Sequence, residues 1–196
     1  GGKSLADILS GAVNQSGKLP FSFPAKLTDC GAHAFDELSY PGDSIKQEYK
    51  EDILVGYRWH DTKEIPAVFP VGHGLSYTTF TYGKPVASAK AMAADGTLTV
   101  TVAVKNTGSI AGKEIVQLYV GDDKCSVLRP VKELKHFAKV GLAPGEEKSV
   151  TFTLTPDDLK FYDEASAAWK YEPGKFKAYV CASSADVRGI VSFEMQ

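Results

Sequence analysis

Leu98-Thr99-Val100-Thr101-Val102-Ala103-Val104 alternates apolar and polar residues with a period of two, then stops at Asn106-Thr107-Gly108. That period puts one set of side chains on each face of a strand, so the stretch reads as a half-buried β-strand ending in a turn. Working outward, Glu114-Ile115-Val116-Gln117-Leu118-Tyr119-Val120 is the next strand. Val131 to Val140 is another, mixed with charges and ending at Leu142-Ala143-Pro144-Gly145. Lys148 to Leu154 alternates again, with Val150, Phe152 and Leu154 on one side, and Ala167–Tyr171, Gly174–Ala182 and Gly189–Phe193 complete the series. Short strands separated by Gly, Pro and Asn turns predict an antiparallel β-sandwich over residues 85–196. The chain is mainly β.

The N-terminal third has a different character. Leu5, Ile8 and Leu9 share one face at helical spacing and Gly11 supplies a left-handed stop, which predicts a short helix over residues 1–11. A turn and a short strand carrying Phe21 and Phe23 follow, and from Ala25 to Lys50 the composition is that of a loop. Ile53, Leu54, Val55, Tyr57 and Trp59 form a compact apolar run, read as a strand. A helix, a strand and a long loop cannot enclose a core. Residues 1–60 therefore read as the remnant of a larger α/β unit whose Phe21, Phe23, Tyr40, Tyr57 and Trp59 need a partner surface, and such a patch also favours self-association. Residues 61–84 connect the two parts. Within them Val71-Gly72-His73-Gly74-Leu75-Ser76-Tyr77-Thr78-Thr79-Phe80, preceded by Pro66, Phe69 and Pro70, is too apolar for a free linker and reads as an extended arm packed between two bodies.

Composition excludes several classes. Lysine and arginine number 22 against 24 aspartates and glutamates, a formal net charge of -2, and the pI near 6.1 argues against a nucleic-acid partner. No apolar run is long enough for a membrane span, and no basic-then-apolar leader opens the chain. Cys30, Cys125 and Cys181 have no metal-ligand spacing and read as buried thiols; His33, His60, His73 and His136 share no ligand spacing either. No metal or cofactor is expected.

The adjacent carboxylates Asp36-Glu37, Glu51-Asp52, Asp122-Asp123, Glu146-Glu147 and Asp157-Asp158 read as surface or turn charge, because chain neighbours do not face one another across a bond. Asp29, Asp36 and Glu37 are the better candidates for a supporting place at a cleft edge, since they lie in the long loop. Arg58, between two rings, and Arg129, before Pro130, are candidates for charge-assisted contacts across the boundary. His73 is read as structural. Tyr119, Phe137, Phe152, Phe161, Trp169, Phe176 and Tyr179 are assigned mostly to the core, with no row of rings on any strand.

Several of these motifs, in one order, resemble the C-terminal region of glycoside hydrolase family 3 enzymes. Gly1 to Leu9 and Ser16-Gly17-Lys18-Leu19-Pro20 are similar to the last helix and strand of that family's α/β sandwich domain, and Val55-Gly56-Tyr57-Arg58-Trp59 to its final strand. The Val71–Phe80 stretch resembles its linking segment. Val104-Lys105-Asn106-Thr107-Gly108, Glu114–Val120, Arg129-Pro130-Val131-Lys132-Glu133-Leu134-Lys135, Leu142-Ala143-Pro144-Gly145-Glu146, Trp169 with Glu172-Pro173-Gly174, and Ser183-Ser184 with Asp186-Val187-Arg188 resemble its fibronectin-III-like domain. The resemblance implies a parent that cleaves β-linked glucosides or xylosides with retention, using two carboxyl groups roughly 5 Å apart, in the periplasm or outside the cell. Both groups belong to segments with no counterpart here, so no catalytic residue is carried over. Tyr57, Arg58, Trp59, Phe69, Gly72, His73, Gly74, Leu75, Tyr77, Phe80 and Arg129 are expected at the interface with absent N-terminal catalytic domains. The competing reading is a stand-alone fibronectin-III-like module that binds carbohydrate or protein; it leaves residues 1–60 without a purpose.

Overall fold

The computed structural model describes residues 1–196. Helix α1 (Gly2–Leu9) is followed by β1 (Phe23–Pro24), two single 3-10 turns at Leu27–Asp29 and Gly31–His33, α2 (Tyr57–Thr62) and β2 (Ala67–Phe69). Then come β3 (Phe80–Tyr82), β4 (Val86–Ala87), β5 (Ala91–Met92), β6 (Leu98–Asn106), β7 (Gly112–Asp122), β8 (Glu133–Leu142) and β9 (Glu147–Leu154). The chain ends with α3 (Pro156–Leu159), β10 (Phe161–Asp163), β11 (Ala168–Lys170), β12 (Gly174–Ser183) and β13 (Asp186–Met195). No helix is long and apolar enough to cross a membrane.

Two sheets face one another. One has five strands in the order β5-β13-β12-β7-β8, antiparallel except for the β13–β5 pair. In the other, β6 pairs with β9 along one edge and with the short β3 and β4 along the other. Both sheets send alternate residues inward: Leu98, Val100, Val102 and Val104 from β6, Val150, Phe152 and Leu154 from β9, Val116, Leu118 and Val120 from β7, Phe176, Ala178 and Val180 from β12. The mainly-β antiparallel sandwich expected from the alternation is present. Gly145 takes a positive φ of 74° in the β8–β9 turn, the conformation for which Pro-Gly is suited.

β7 departs from simple alternation. Glu114 and every residue from Val116 to Gly121 are buried, because its second face is also covered. The cover is α2 and the Val71–Phe80 stretch, and it explains why Gln117 and Tyr119, which point away from the inter-sheet core, are buried at 3% and 0% exposure.

Several readings need correction. The apolar run Ile53–Trp59 is not a strand: Gly56 adopts φ +61° and the chain then turns into α2. Within the run only Leu54 and Trp59 are buried, while Ile53 and Val55 are exposed, so the burial has no period of two. Trp59 is thus buried, whereas Phe21, Phe23 and Tyr40 are exposed, the first two in ring contact with each other and Tyr40 with His33. Phe21 stands outside the strand, which is only Phe23–Pro24 paired with β2. Cys181 is buried, yet Cys30 is half-buried and Cys125 exposed. Phe137 and Trp169 are exposed rather than core.

Candidate functional site

Of the residues selected from the sequence, Gly72, Tyr57 and Arg58 lie against strands of the five-stranded sheet. Gly72 sits at φ +82°, and a Cβ there would overlap the Gln117 carboxamide; one on Gly74 would overlap the Gly17 carbonyl. Both glycines are therefore required by close approach as well as, for Gly72, by conformation. The backbone is stitched on both sides: Gly72 N–H donates to Leu19 O and Leu19 N–H to His73 O, each at 2.8 Å, and Ser184 N–H donates to Val71 O at 2.8 Å. His73 contributes its carbonyl here, and its ring packs on Phe69 with centroids 5.0 Å apart. Beneath Gly72, Gln117 Nε2 donates to Ala182 O at 3.0 Å and its Oε1 accepts from Tyr119 Oη at 2.7 Å. Lys18, pulled in from the N-terminal segment, pairs with the buried Glu114 at 2.9 Å.

Two asparagines tie the ends of this stretch. Asn14 Oδ1 accepts from Ser76 Oγ at 3.1 Å and Tyr77 N at 2.9 Å, while its Nδ2 donates to Ala111 O at 3.0 Å. Tyr77 Oη donates to Ile8 O at 2.8 Å, fastening α1. Asn106, fully buried, accepts from Thr78 Oγ1 at 2.6 Å and Gly108 N at 3.1 Å, and donates to Ile110 O at 2.8 Å and Leu142 O at 3.1 Å. Its amide is saturated, which is what makes a polar side chain affordable there.

α2 forms the second half of the joint. Tyr57 and Asp61, one turn apart, both reach the sandwich. Tyr57 Oη accepts from Leu134 N at 2.8 Å, and its ring meets Tyr119 edge-on at 5.6 Å. Asp61 pairs with Lys132 at 2.6 Å, both side chains about nine-tenths buried. Burial pushes the Asp61 carboxyl above its ordinary value, and the Lys132 hydrogen bond and charge only partly oppose this. Arg58 pairs with Glu133 at 3.2 Å. The Arg129 guanidinium, 6% exposed, bonds Leu159 O at 3.1 Å, Glu133 at 3.3 Å and Asp122 at 3.4 Å, and lies over the Phe161 ring. Trp59 points the other way, donating from Nε1 to Asp29 O at 3.1 Å.

The cleft-edge candidates do not assemble with this joint. Asp29 caps its own 3-10 turn through Lys26 N at 3.3 Å. Asp36 is exposed and bonded to Lys50 at 2.6 Å, which holds its carboxyl below the ordinary value. Glu37 is exposed beside it. Phe69, Leu75 and Tyr77 are largely exposed, and Phe80 is half-buried. Two residues read as surface charge are not: Asp122 is the buried partner of Arg129, and Glu51 is buried with its Oε2 unpartnered.

This arrangement of a β-sandwich fastened to a preceding helical segment has close counterparts. Residues 1–77 match the Glycosyl hydrolase family 3 C-terminal domain, and residues 114–184 match the Fibronectin type III-like domain. The chain thus carries the family 3 C-terminal domain followed by a fibronectin type III-like domain. Over 194 residues, 99% of the chain and 26% of the relative, it is 66% identical to Beta-glucosidase BoGH3A of Bacteroides ovatus. It is 50% identical to Thermostable beta-glucosidase B of Acetivibrio thermocellus over 95% of the chain and 24% of that relative. Among solved structures, the Bifidobacterium adolescentis GH3 beta-glucosidase superimposes with a TM-score of 0.91 at 34% identity, over all of the chain and 28% of that protein. DesR, a beta-glucosidase from Streptomyces venezuelae crystallised with D-glucose, gives 0.89 at 40% identity, over 99% of the chain and 24% of its own length. The chain thus spans about a quarter of the length of the relatives it matches and corresponds to their C-terminal portion.

Sequence reasoning missed Gln117, Asn14, Asp61 and Lys132 as fastening residues. Asn106 did carry a signal: it occupies the next inward position after Leu98, Val100, Val102 and Val104, where a polar residue must find buried partners. Gln117 had none, because nothing in β7 announces that its second face is covered.

Proposed function

We propose that this chain is the C-terminal part of a retaining β-glycosidase that hydrolyses β-linked glucosides or xylosides, and that its own task is to brace the catalytic domains. One observation carries the reading: the chain is alike along its whole length to beta-glucosidases roughly four times longer, at up to 66% identity among those named above. Residues 1–60 are assigned to the end of an α/β domain, 61–84 to a connecting arm and 85–196 to a fibronectin-III-like domain. In support, the buried apolar residues before Met92 are only Leu54 and Trp59, while Leu9, Phe21, Ile45, Tyr49 and Val55 are exposed. A segment that forms little core of its own fits one completed by the preceding catalytic domains.

In this reading the two catalytic carboxyl groups, whose separation of about 5–5.5 Å defines a retaining site, come from those domains. Tyr57, Arg58, Trp59, Phe69, Gly72, His73, Gly74, Leu75, Tyr77, Phe80 and Arg129 hold the sandwich at a fixed angle behind them. Asp29, Asp36 and Glu37 lie along the cleft edge and touch no reacting atom. A stand-alone binding module is disfavoured by the Asn14, Lys18 and Asp61 contacts, which commit the N-terminal segment to the sandwich. The test is a parent protein lacking residues 85–196. It is expected to lose soluble β-glucosidase activity, and full activity in its absence would refute the bracing role.

A further inference from the structure

The hairpin β10–β11 contributes nothing to the inter-sheet core beyond its base, yet it carries two large rings. Tyr162 and Trp169 are directly opposed across it, edge to face with centroids 5.7 Å apart. Trp169 is 66% exposed and Tyr162 51%. Holding an indole in water costs about 25 cal/mol per Å² relative to burying it, so a fold that places two rings side by side on one exposed hairpin face offers them to something. Beside them runs a groove of about 670 Å³, which also takes in Ile53 and Leu128, within the ~300–1,000 Å³ range of small-molecule sites.

The charges in the groove decide what chemistry fits. Its cations are already engaged: Arg58, Arg129 and Lys135 with Glu133, Arg129 also with Asp122, and Lys160 with Asp157. Asp163 is engaged by Lys170. The carboxylates of Asp52 and Glu164 remain, both exposed and in no ion pair; Asp52 accepts only from the adjacent Ile53 N–H, at 2.7 Å. A groove with paired cations and two open acceptors offers no free cation to phosphate, sulfate or uronate and suits hydroxyl donors. A pyranose whose hydroxyls are all equatorial has two flat C–H faces for a ring to stack on and a rim of hydroxyls for carboxylates to accept from.

We propose that the groove beside Trp169 and Tyr162 binds a neutral oligosaccharide of equatorially substituted, β-linked sugars, with Trp169 as the stacking platform and Glu164 and Asp52 as hydroxyl acceptors. The β-linkage rests on the proposed function; the neutral glycan class rests on the groove alone. The site does no hydrolysis. It holds a portion of the polymer at the sandwich.

The experiment is native electrophoresis of the 196-residue chain through gels containing soluble mixed-linkage β-glucan, with glycogen as the α-linked control. The expected result is retardation by the β-glucan only, weakened about tenfold or more in Trp169→Ala and partly in Glu164→Gln. Trp59 is the only other tryptophan and is buried, so its emission reports that Trp169→Ala remains folded. Absence of retardation, retardation by glycogen alone, or retardation unchanged in Trp169→Ala would overturn the site. So would full protection of Trp169 from iodide quenching in the full-length parent, which would make the groove an internal protein joint. None of these readouts uses turnover, so this site can fail while the glycosidase reading stands, and the reverse.

Discussion

Gly72→Ala should be among the most damaging single-methyl substitutions in the chain. The backbone there lies at φ +82°, and holding an L-residue in that region costs about 1–2 kcal/mol. The added Cβ also falls onto the Gln117 carboxamide. That group cannot swing aside freely, because it is buried and fixed between Ala182 O at 3.0 Å and Tyr119 Oη at 2.7 Å. Overpacking costs about 1–3 kcal/mol, and leaving the Ala182 carbonyl without its donor about 1–3 kcal/mol more. Allowing for partial relaxation, the expected loss is about 3–5 kcal/mol, or roughly 6–20 °C in Tm for a chain of this size. Urea unfolding followed by far-ultraviolet circular dichroism measures it. The sharper assay is a double-mutant cycle with Gln117→Ala, which removes the obstructing carboxamide. Gln117→Ala should cost less in the Gly72→Ala background than alone, with a coupling of about 1–3 kcal/mol. A Gly72→Ala loss below about 1 kcal/mol, or strict additivity, would refute the claim that this stretch is locked onto the sheet by side-chain contact.

Lys132→Met should destabilise by about 3–5 kcal/mol by stranding Asp61 in the joint, whereas Asp61→Asn with Lys132→Met should recover most of that; thermal melts of the three variants decide. Because the Asp61 carboxyl is raised above its ordinary value of 3.8, the folded chain holds its proton longer than the unfolded one. The contribution of Asp61 is full below pH 3.8 and is lost as pH rises through the folded value, so the difference between wild type and Asp61→Asn should be constant below pH 3.8 and change as pH rises above it. Asn106→Ala removes four hydrogen bonds at once, those of Thr78 and Leu142 fully buried and those of Gly108 and Ile110 partly so, and should cost about 2–4 kcal/mol in the same melts. Amide exchange should be slowest in β6, β7 and β12 and fast over residues 1–50, where almost nothing is buried; uniform protection would contradict that division.

The sandwich was legible because its information is local. A period of two over Leu98–Val104 or Lys148–Leu154 specifies both strand and inward face, and the turns at Asn106-Thr107-Gly108 and Pro144-Gly145 mark where each ends. The short strands Phe80–Tyr82, Val86–Ala87 and Ala91–Met92 were invisible for the opposite reason, since two or three residues carry no period. Ile53–Trp59 is ambiguous in sequence because hydrophobicity alone cannot separate strand from helix, and it is Gly56, at positive φ, that breaks the run. Trp169 was misplaced because strand position says which residues share a face but not whether that face is covered. The glycines and His73 of Val71–Phe80 stand out in the sequence as a group, yet the residues that grip this stretch, Gln117, Ser184 and Asn14, come from segments far along the chain. Only the tertiary fold brings such partners together.

The central claim is that this chain supports a glycosidase without supplying its chemistry. Turnover of a panel of aryl β-glycosides by the purified 196-residue chain and by its full-length parent tests that most directly. The account predicts hydrolysis by the parent and none by the chain. Turnover by the chain alone would contradict it, and would mean that a carboxylate pair within residues 25–60 is catalytic.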